Sequence, residues 1–332
     1  MSLRVPLSVL DLAPIGEDET ARQALQGSVR LARRAEELGY LRVWYAEHHN
    51  IESIASSATA VLIAHVAAHT ERIRLGAGGI MLPNHSPLVI AEQFGTLAEL
   101  HPDRIDLGLG RAPGTDQETL LALRRDARAA EAFPEDVVEL QGYLGGASHV
   151  PNVRAIPGRG TGVPLYILGS SLFGAHLAAA LGLPYGFASH FAPAALRDAV
   201  EVYRDRFQPS EQLDRPYVIA GVNVLAADDE REARRQLETR RRVVARAIFS
   251  RGGRRPDDAE VDAILRDPRG RHVDEMLAHT AVGTPDAVAA FLADFRRYAD
   301  ADELMTVHGA DTLDGRLRSL ELLAEARGRA AA

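Results

Sequence analysis

The chain has 332 residues, a net charge of −8 with histidine neutral, 46% apolar and 25% charged side chains, and no cysteine. That composition fits a water-soluble globular enzyme with a sizeable core, and the acidic balance argues against a broad nucleic-acid face. The missing cysteine removes disulfides, thiolate nucleophiles and thiolate metal sites together, and all 38 basic residues are arginine, which removes Schiff-base chemistry and the phosphate-loop lysine. An anionic ligand must therefore be held by arginine, hydroxyls and backbone amides, a role that the planar guanidinium fork suits. No span approaches the ~20 consecutive apolar residues that a bilayer requires. The N-terminal stretch lacks the small-residue cleavage pattern of a secretory signal, so a cytoplasmic protein is expected.

Apolar strand-like runs alternate with amphipathic helical stretches along the chain. Strands are predicted over residues 7–10, 41–45, 72–81 and 105–109, with helices over 20–38, 56–69 and 89–100; Gly39 stops the first helix. The rhythm resumes with strands over 165–168, 185–189, 218–225 and 304–307, and with helices over 174–181, 193–207, onward from about 228, and 315–326. Eight short, nearly all-apolar strands in βα alternation point to parallel strands covered on both faces. The expected fold is one α/β domain over residues 1–332, a (β/α)8 TIM barrel, with an open doubly wound sheet as the alternative. Residues 112–162 are too long for an ordinary connection after strand four and are expected to form an insertion or lid on the active-site face, with some helix around Pro134 to Gly142 and then a Gly/Pro/Asn-rich segment. Residues 251–275 are read as a second, polar insertion at the surface.

In such a barrel, chemistry sits where strands end and βα loops begin. Asp11 closes strand one, Glu47-His48-His49-Asn50 strand two, and Gly78 to His85 strand three. Gly108 to Gly114 close strand four, Gly169-Ser170-Ser171 strand five, and Ser189-His190-Phe191 strand six. The Gly169-Ser170-Ser171 turn opens a helix, where amides, hydroxyls and the helix dipole can bind phosphate; its plain alternative is a serine N-cap. Arg111, leaving strand four beside Gly110, would supply the cation. The small residues of Leu75-Gly76-Ala77-Gly78-Gly79-Ile80 mark either close approach of a flat ligand or a bulge. Adjacent residues on a strand point to opposite sides, so His48 and His49 do not share one ion, and no metal-ligand spacing motif is present. No metal is expected, the residual alternative being His85 and His190 with an acid. One of His48 and His49 should face the mouth as acid, base or hydrogen-bond donor while the other packs behind it. His65 and His101 are read as structural.

Taken together, several stretches resemble the bacterial luciferase-like flavin-dependent monooxygenases. They are VWYAEHHN (43–50), LGAGGIMLPNHSPLVIAEQFGTLAELHPDRIDLGLGRAPGTD (75–116), LGSS (168–171), FASHFAP (187–193), VGTPDAV (282–288), ADELM (301–305) and RLRSLELLAEA (316–326), and the likeness covers nearly the whole chain. The resemblance implies a (β/α)8 barrel that binds FMN at its C-terminal mouth. A separate flavin reductase would supply the reduced FMN, which reacts with oxygen to a C4a-hydroperoxide that oxygenates a small organic substrate. Gly78 and Gly79 match the family's small pair beside the flavin ring, often joined by a non-prolyl cis peptide. Arg111 and the Gly169-Ser170-Ser171 turn match phosphate-binding positions, and His48 matches the catalytic histidine, with His49 beside it. Gly110 stands where the luciferases carry a cysteine, so no role for that thiol carries over. A homodimer is implied as well. Related barrels use a deazaflavin and transfer hydride, and a non-catalytic flavin-binding protein is a further alternative.

Overall fold

The computed structural model describes residues 3–112, 116–250 and 254–329. Pro113 and Gly114, placed by sequence at the end of strand four, and residues 251–253 of the second insertion lie outside the described residues. The strands are β1 (Leu7–Asp11), β2 (Arg42–Tyr45), β3 (Arg74–Met81), β4 (Ile105–Gly110), β5 (Leu165–Gly169), β6 (Tyr185–Phe187), β7 (Val218–Ala226), β8 (Thr280–Gly283) and β9 (Glu303–His308). They pair in parallel in the order β6-β5-β4-β3-β2-β1-β9-β7-β8, and pairing of β6 with β7 closes a ring, so the expected (β/α)8 barrel is present. β8, which periodicity does not reveal, lies outside the ring. Asn223 of β7 pairs with Val307 on one side and Thr280 on the other, so β8 occupies the edge of β7 that the three-residue β6 is too short to cover.

The helices flanking the ring are α1 (Ala21–Glu37), α2 (Thr59–Ala67), α3 (Pro87–Leu100), α4 (Gln117–Ala122), α5 (Phe133–Gly145) and α6 (Leu172–Leu181). They continue as α7 (Leu196–Arg206), α8 (Glu230–Phe249), α9 (Asp258–Arg266), α10 (Pro268–Met276), α11 (Pro285–Ala299) and α12 (Leu313–Arg329). Local chemistry sets their ends. Thr20 and Gln23 form a reciprocal capping box at the start of α1, and Asp229 accepts from the Glu232 amide to start α8.

The described part of the segment 112–162 holds the helices α4 and α5, the second where helix was expected around 134–142. Phe133, Val137, Leu140, Tyr143 and Leu144 give α5 a buried stripe, and α5 packs on α3 as the ordinary crossover helix between β4 and β5. Past α5 the chain runs back over α3, so closely that a Cβ on Gly95 would fall 2.0 Å from Gly158 Cα. The described part of 251–275 is helical. α9 and α10 pack on α8 around a satellite core of Ala245, Val261, Ile264, Val273 and Leu277.

The lower half of the barrel lumen holds charge that apolar strand reading does not anticipate. Arg42 Nη1 donates to Asp106 Oδ2 and to the Tyr166 hydroxyl, both at 2.7 Å, and Nη2 donates to Glu303 at 3.1 Å. The Trp44 indole also donates to Asp106, at 3.1 Å. These groups are buried, and each carboxylate has a cation, as a buried charge requires. Above them lies an apolar layer of Leu10, Trp44, Tyr166, Ile219, Met305 and Val307, which forms the floor beneath the mouth.

Candidate active site at the barrel mouth

β2 delivers VWYAEHHN to the C-terminal rim, where Glu47 is the hub of the hydrogen bonds that join the β2 and β3 ends. It is 1% exposed, and its Oε1 is 2.6 Å from His49 Nε2 and 2.8 Å from His85 Nε2, while Oε2 accepts from the Met81 amide at 3.0 Å. Burial alone would raise the Glu47 carboxyl; the bond to His85, the Met81 amide and His49 outweigh it and hold the pKa below its ordinary value. The backbone follows the same route, since the Glu47 amide donates to the Gly79 carbonyl. Glu47, His49 and His85 have the make-up of a two-histidine, one-carboxylate cluster, their ligand atoms lying within 4.8 Å of one another. Two ligands on a tetrahedral zinc would stand about 3.3 Å apart for bonds of ~2.0–2.1 Å, whereas the spacings here are those of direct hydrogen bonds. The pairing of His85 with His190 suggested by sequence does not occur, because His190 lies over β7.

His48 has the environment that His49 lacks. Its Nδ1 is sealed from solvent without a hydrogen-bond partner. Burial pushes its pKa below the ordinary histidine value against the smaller opposing effects of the Ala46 carbonyl and Glu47, so the ring is neutral at pH 7. His190 lies within electrostatic range, and burial, helped by Arg240 and His48, brings its pKa down to about 3. The absence of a side chain at Gly221 makes room for it: a Cβ there would fall 2.4 Å from His190 Nδ1. Asn223 Nδ2 donates to the His190 carbonyl at 2.6 Å and holds the loop over β7.

On the other side of the mouth, the Gly78–Gly79 peptide is cis, and the β3–β4 register shifts between Gly78 and Ile80. The bulge read from the small residues is therefore present. A Cβ on Gly79 would lie 2.6 Å from the Gly108 carbonyl oxygen, and one on Gly78 would lie 2.8 Å from Trp44 Cβ, so neighbouring strands alone require glycine here. At the end of β5, Ser171 takes the N-cap position of α6 with no side-chain hydrogen bond, so its hydroxyl does not cap the helix. The guanidinium of Arg111 sits 4.0 Å from the centre of the Phe173 ring, against that same first turn. Ser170 and Ser171 are exposed beside it, as are the apolar Leu172 and Phe173, while Phe191 is exposed after β6 against the His190 ring. A cleft of ≈ 400 Å³ lined by Pro6, Glu36, Tyr40, Arg72 and Arg327 opens at the opposite end of the barrel, away from these groups.

Sequence reasoning singles out His48, His49, Gly78, Gly79, Arg111, Gly169, Ser170 and Ser171; Gly78 and Gly79 lie within the C-terminal half of β3, and the others stand at or just past strand ends. It misses Glu47 as the shared acceptor of two histidines, and it misses Arg240. The signal for Arg240 is helical phase. Ala233, Gln236 and Arg240 are spaced by three and four residues, which places the arginine on the stripe of α8 that faces the barrel.

A closed parallel ring of strands with flanking helices, and with polar groups gathered where its strands end, is a (β/α)8 barrel, a fold whose sites lie at the C-terminal face. The chain belongs to the luciferase-like monooxygenase family, whose model matches residues 5–302. It is 50% identical over 321 residues to the protein YvbT of Bacillus subtilis and 46% identical over 320 residues to a luciferase-like monooxygenase of Escherichia coli K12, with 96% of each chain covered in both cases. The solved structure of apo-MsnO8 matches with a TM-score of 0.85 at 36% identity, covering 97% of this chain and 98% of that one. More distant structures share the fold alone. They are the oxygenating constituent of 3,6-diketocamphane monooxygenase from Pseudomonas putida with FMN (TM-score 0.73, 17% identity, 98% of each chain) and an F420-dependent secondary alcohol dehydrogenase (TM-score 0.70, 14% identity, 97% and 99%). Among the described residues, no helix is long and apolar enough to cross a membrane.

Proposed function

We propose that the protein is a flavin-dependent monooxygenase that takes reduced FMN from a separate flavin reductase and uses oxygen to oxygenate a small organic substrate. The observation that carries this reading is the anion receptor at the end of β5. The amides at the start of α6, a Ser171 hydroxyl free of capping duty and Arg111 braced on Phe173 converge on one turn. That donor set suits a phosphate dianion. Family membership supports the reading, as does the exposed apolar rim of Leu172, Phe173 and Phe191, which a bound ring system would cover.

Bound FMN in its reduced form would supply the two electrons that activate oxygen. The chain's own contribution is placement and proton handling. Glu47 locks His49 and His85, which fixes the β2 and β3 ends between which the Gly78–Gly79 wall is formed. His48, neutral and half-buried at the end of β2, is the group suited to accept or donate a proton at the mouth. His49, tied to Glu47, orients that end of the strand. A transient reductase contact and a homodimer belong to the same proposal; light scattering on a sizing column checks the dimer.

The test is anaerobic titration of the protein with reduced FMN, followed by an oxygen pulse monitored by absorbance. Binding and an oxygen-dependent spectral change are expected. No binding, or tighter binding of a deazaflavin together with hydride transfer, would replace the reading with that of a deazaflavin oxidoreductase. Flavin binding with a His48→Ala variant indistinguishable from wild type in every turnover assay would point instead to a flavin-binding protein without catalysis.

A further inference from the structure

Arg240, Arg241 and Arg242 follow one another on α8 and meet different fates. Arg241 Nε pairs with Asp274 at 2.8 Å and Arg242 Nη2 with Asp262 at 2.6 Å, both on the outer helices α9 and α10. Arg240 turns the other way. Its stem passes the rim of the ring just beyond β9, where a Cβ on Gly309 would lie 3.7 Å from its Cδ and 3.8 Å from its Nε. Among the described residues it has no hydrogen bond and no carboxylate within 4.0 Å, and its Nε is sealed from solvent without a partner. Asp311, the acid within electrostatic range, is paired with Arg235 at 3.7 Å. Burial outweighs the pull of Asp311 and lowers the Arg240 pKa, which marks a cation short of compensation.

The Nε–H that Arg240 keeps from solvent lacks an acceptor, a cost that an arriving anion would relieve, and the side chain as a whole is half-buried, so that the fork can be reached from the mouth. The receptor for the flavin phosphate is elsewhere, because Arg111 leaves β4, and β9 is four strands from β4 in either direction round the ring. Arg240 instead shares its side of the mouth with the neutral His190, above the apolar floor of Ile219, Met305 and Val307. We infer that Arg240 is the anion-recognising residue of the substrate pocket, so that the molecule oxygenated has an apolar body and a carboxylate end seated between β7 and β9. The carboxylate fits the guanidinium fork bidentately. The assignment of that carboxylate to a substrate rests on the monooxygenase reading above; the binding of the carboxylate does not.

The experiment uses flavin-free protein and two ligand pairs of matched shape, hexanoate with hexanamide and benzoate with benzamide, measured by calorimetry, with FMN affinity measured separately by fluorescence quenching. Wild type is expected to prefer each carboxylate at least ten-fold, which is about 1.4 kcal/mol. Arg240→Gln should abolish that preference while FMN affinity changes less than two-fold, and Arg240→Lys should keep part of it. Should Arg240→Gln fail to fold, hexanoate must shift the Nε–H resonance of one buried arginine in wild type, and hexanamide must not. The inference is overturned if Arg240→Gln retains the preference, if Arg111→Gln and not Arg240→Gln removes it, or if Arg240→Gln weakens FMN or inorganic phosphate instead of the carboxylates. Loss of carboxylate preference in Arg240→Gln on a protein that binds no FMN would support the anion site and refute the cofactor reading.

Discussion

Removal of Glu47 tests whether the two histidines of the β2 and β3 ends are held by one carboxylate. Glu47 accepts two imidazole donors and the Met81 amide at 2.6–3.0 Å while 1% exposed. A hydrogen bond to a charged acceptor is worth ~1.5–3 kcal/mol net. The three share one carboxylate and do not add, so Glu47→Ala should cost ~3–5 kcal/mol, the range for deleting one member of a buried charged network. Glu47→Gln should cost only ~1–2 kcal/mol, because the amide oxygen still accepts one donor and the amide nitrogen can donate to an imidazole that switches tautomer. Urea unfolding of flavin-free protein at pH 7 measures both, provided that the denaturant slope stays constant across the variants. A Glu47→Ala penalty below ~1 kcal/mol, or a Glu47→Gln penalty as large as that of Glu47→Ala, would refute the hub.

Gly79→Ala should destabilise by ~1–3 kcal/mol, since its Cβ would lie 2.6 Å from the Gly108 carbonyl oxygen, a backbone atom that cannot rotate away, and 2.7 Å from Leu168 Cδ1; thermal melts check it. Arg111→Ala should leave stability unchanged, because the side chain is exposed, but should weaken FMN roughly ten- to hundred-fold by removing a charged hydrogen-bond donor to phosphate. Fluorescence quenching reads that affinity. His190 and His308 titrate at about 3 in the fold against ~6.5 when unfolded, both because of burial. The unfolded chain therefore binds more protons between these values. Each histidine's contribution is fully present above pH 6.5 and is lost toward pH 3, at up to about 1.4 kcal/mol per pH unit. His308→Gln, which retains a hydrogen-bonding group between Thr306 and Ser319, should flatten the acid limb of a stability–pH curve; an unchanged limb would contradict the assignment.

Much of the barrel is legible in the sequence because parallel strands covered on both faces are continuous apolar runs between helix stop and start signals. β1, β4 and β5 lie within a residue of their expected ends for that reason. β8 is not legible, as four residues without a periodic pattern carry no local signal. Within the 112–162 segment the helix expected around 134–142 is present as α5, because Phe133, Val137, Leu140 and Leu144 have the spacing of one buried helix face. The charges of Arg42, Asp106 and Glu303 are lost among apolar neighbours, because an inward carboxylate is understood only once the strand that brings its cation is known.

By itself the chain determined its architecture and which residues stand at strand ends, because both follow from local periodicity and turn chemistry. His48, His49, Arg111 and Ser171 belong at the mouth on those grounds alone. Only tertiary structure separated the adjacent histidines. The carboxylate of Glu47 meets an imidazole from β3's far end and captures His49, leaving His48 with a free ring nitrogen. It also turned one arginine of three toward the barrel: helical spacing groups Ala233, Gln236 and Arg240 on one stripe, but only the packing of α8 on β7 and β8 shows that this stripe faces the ring.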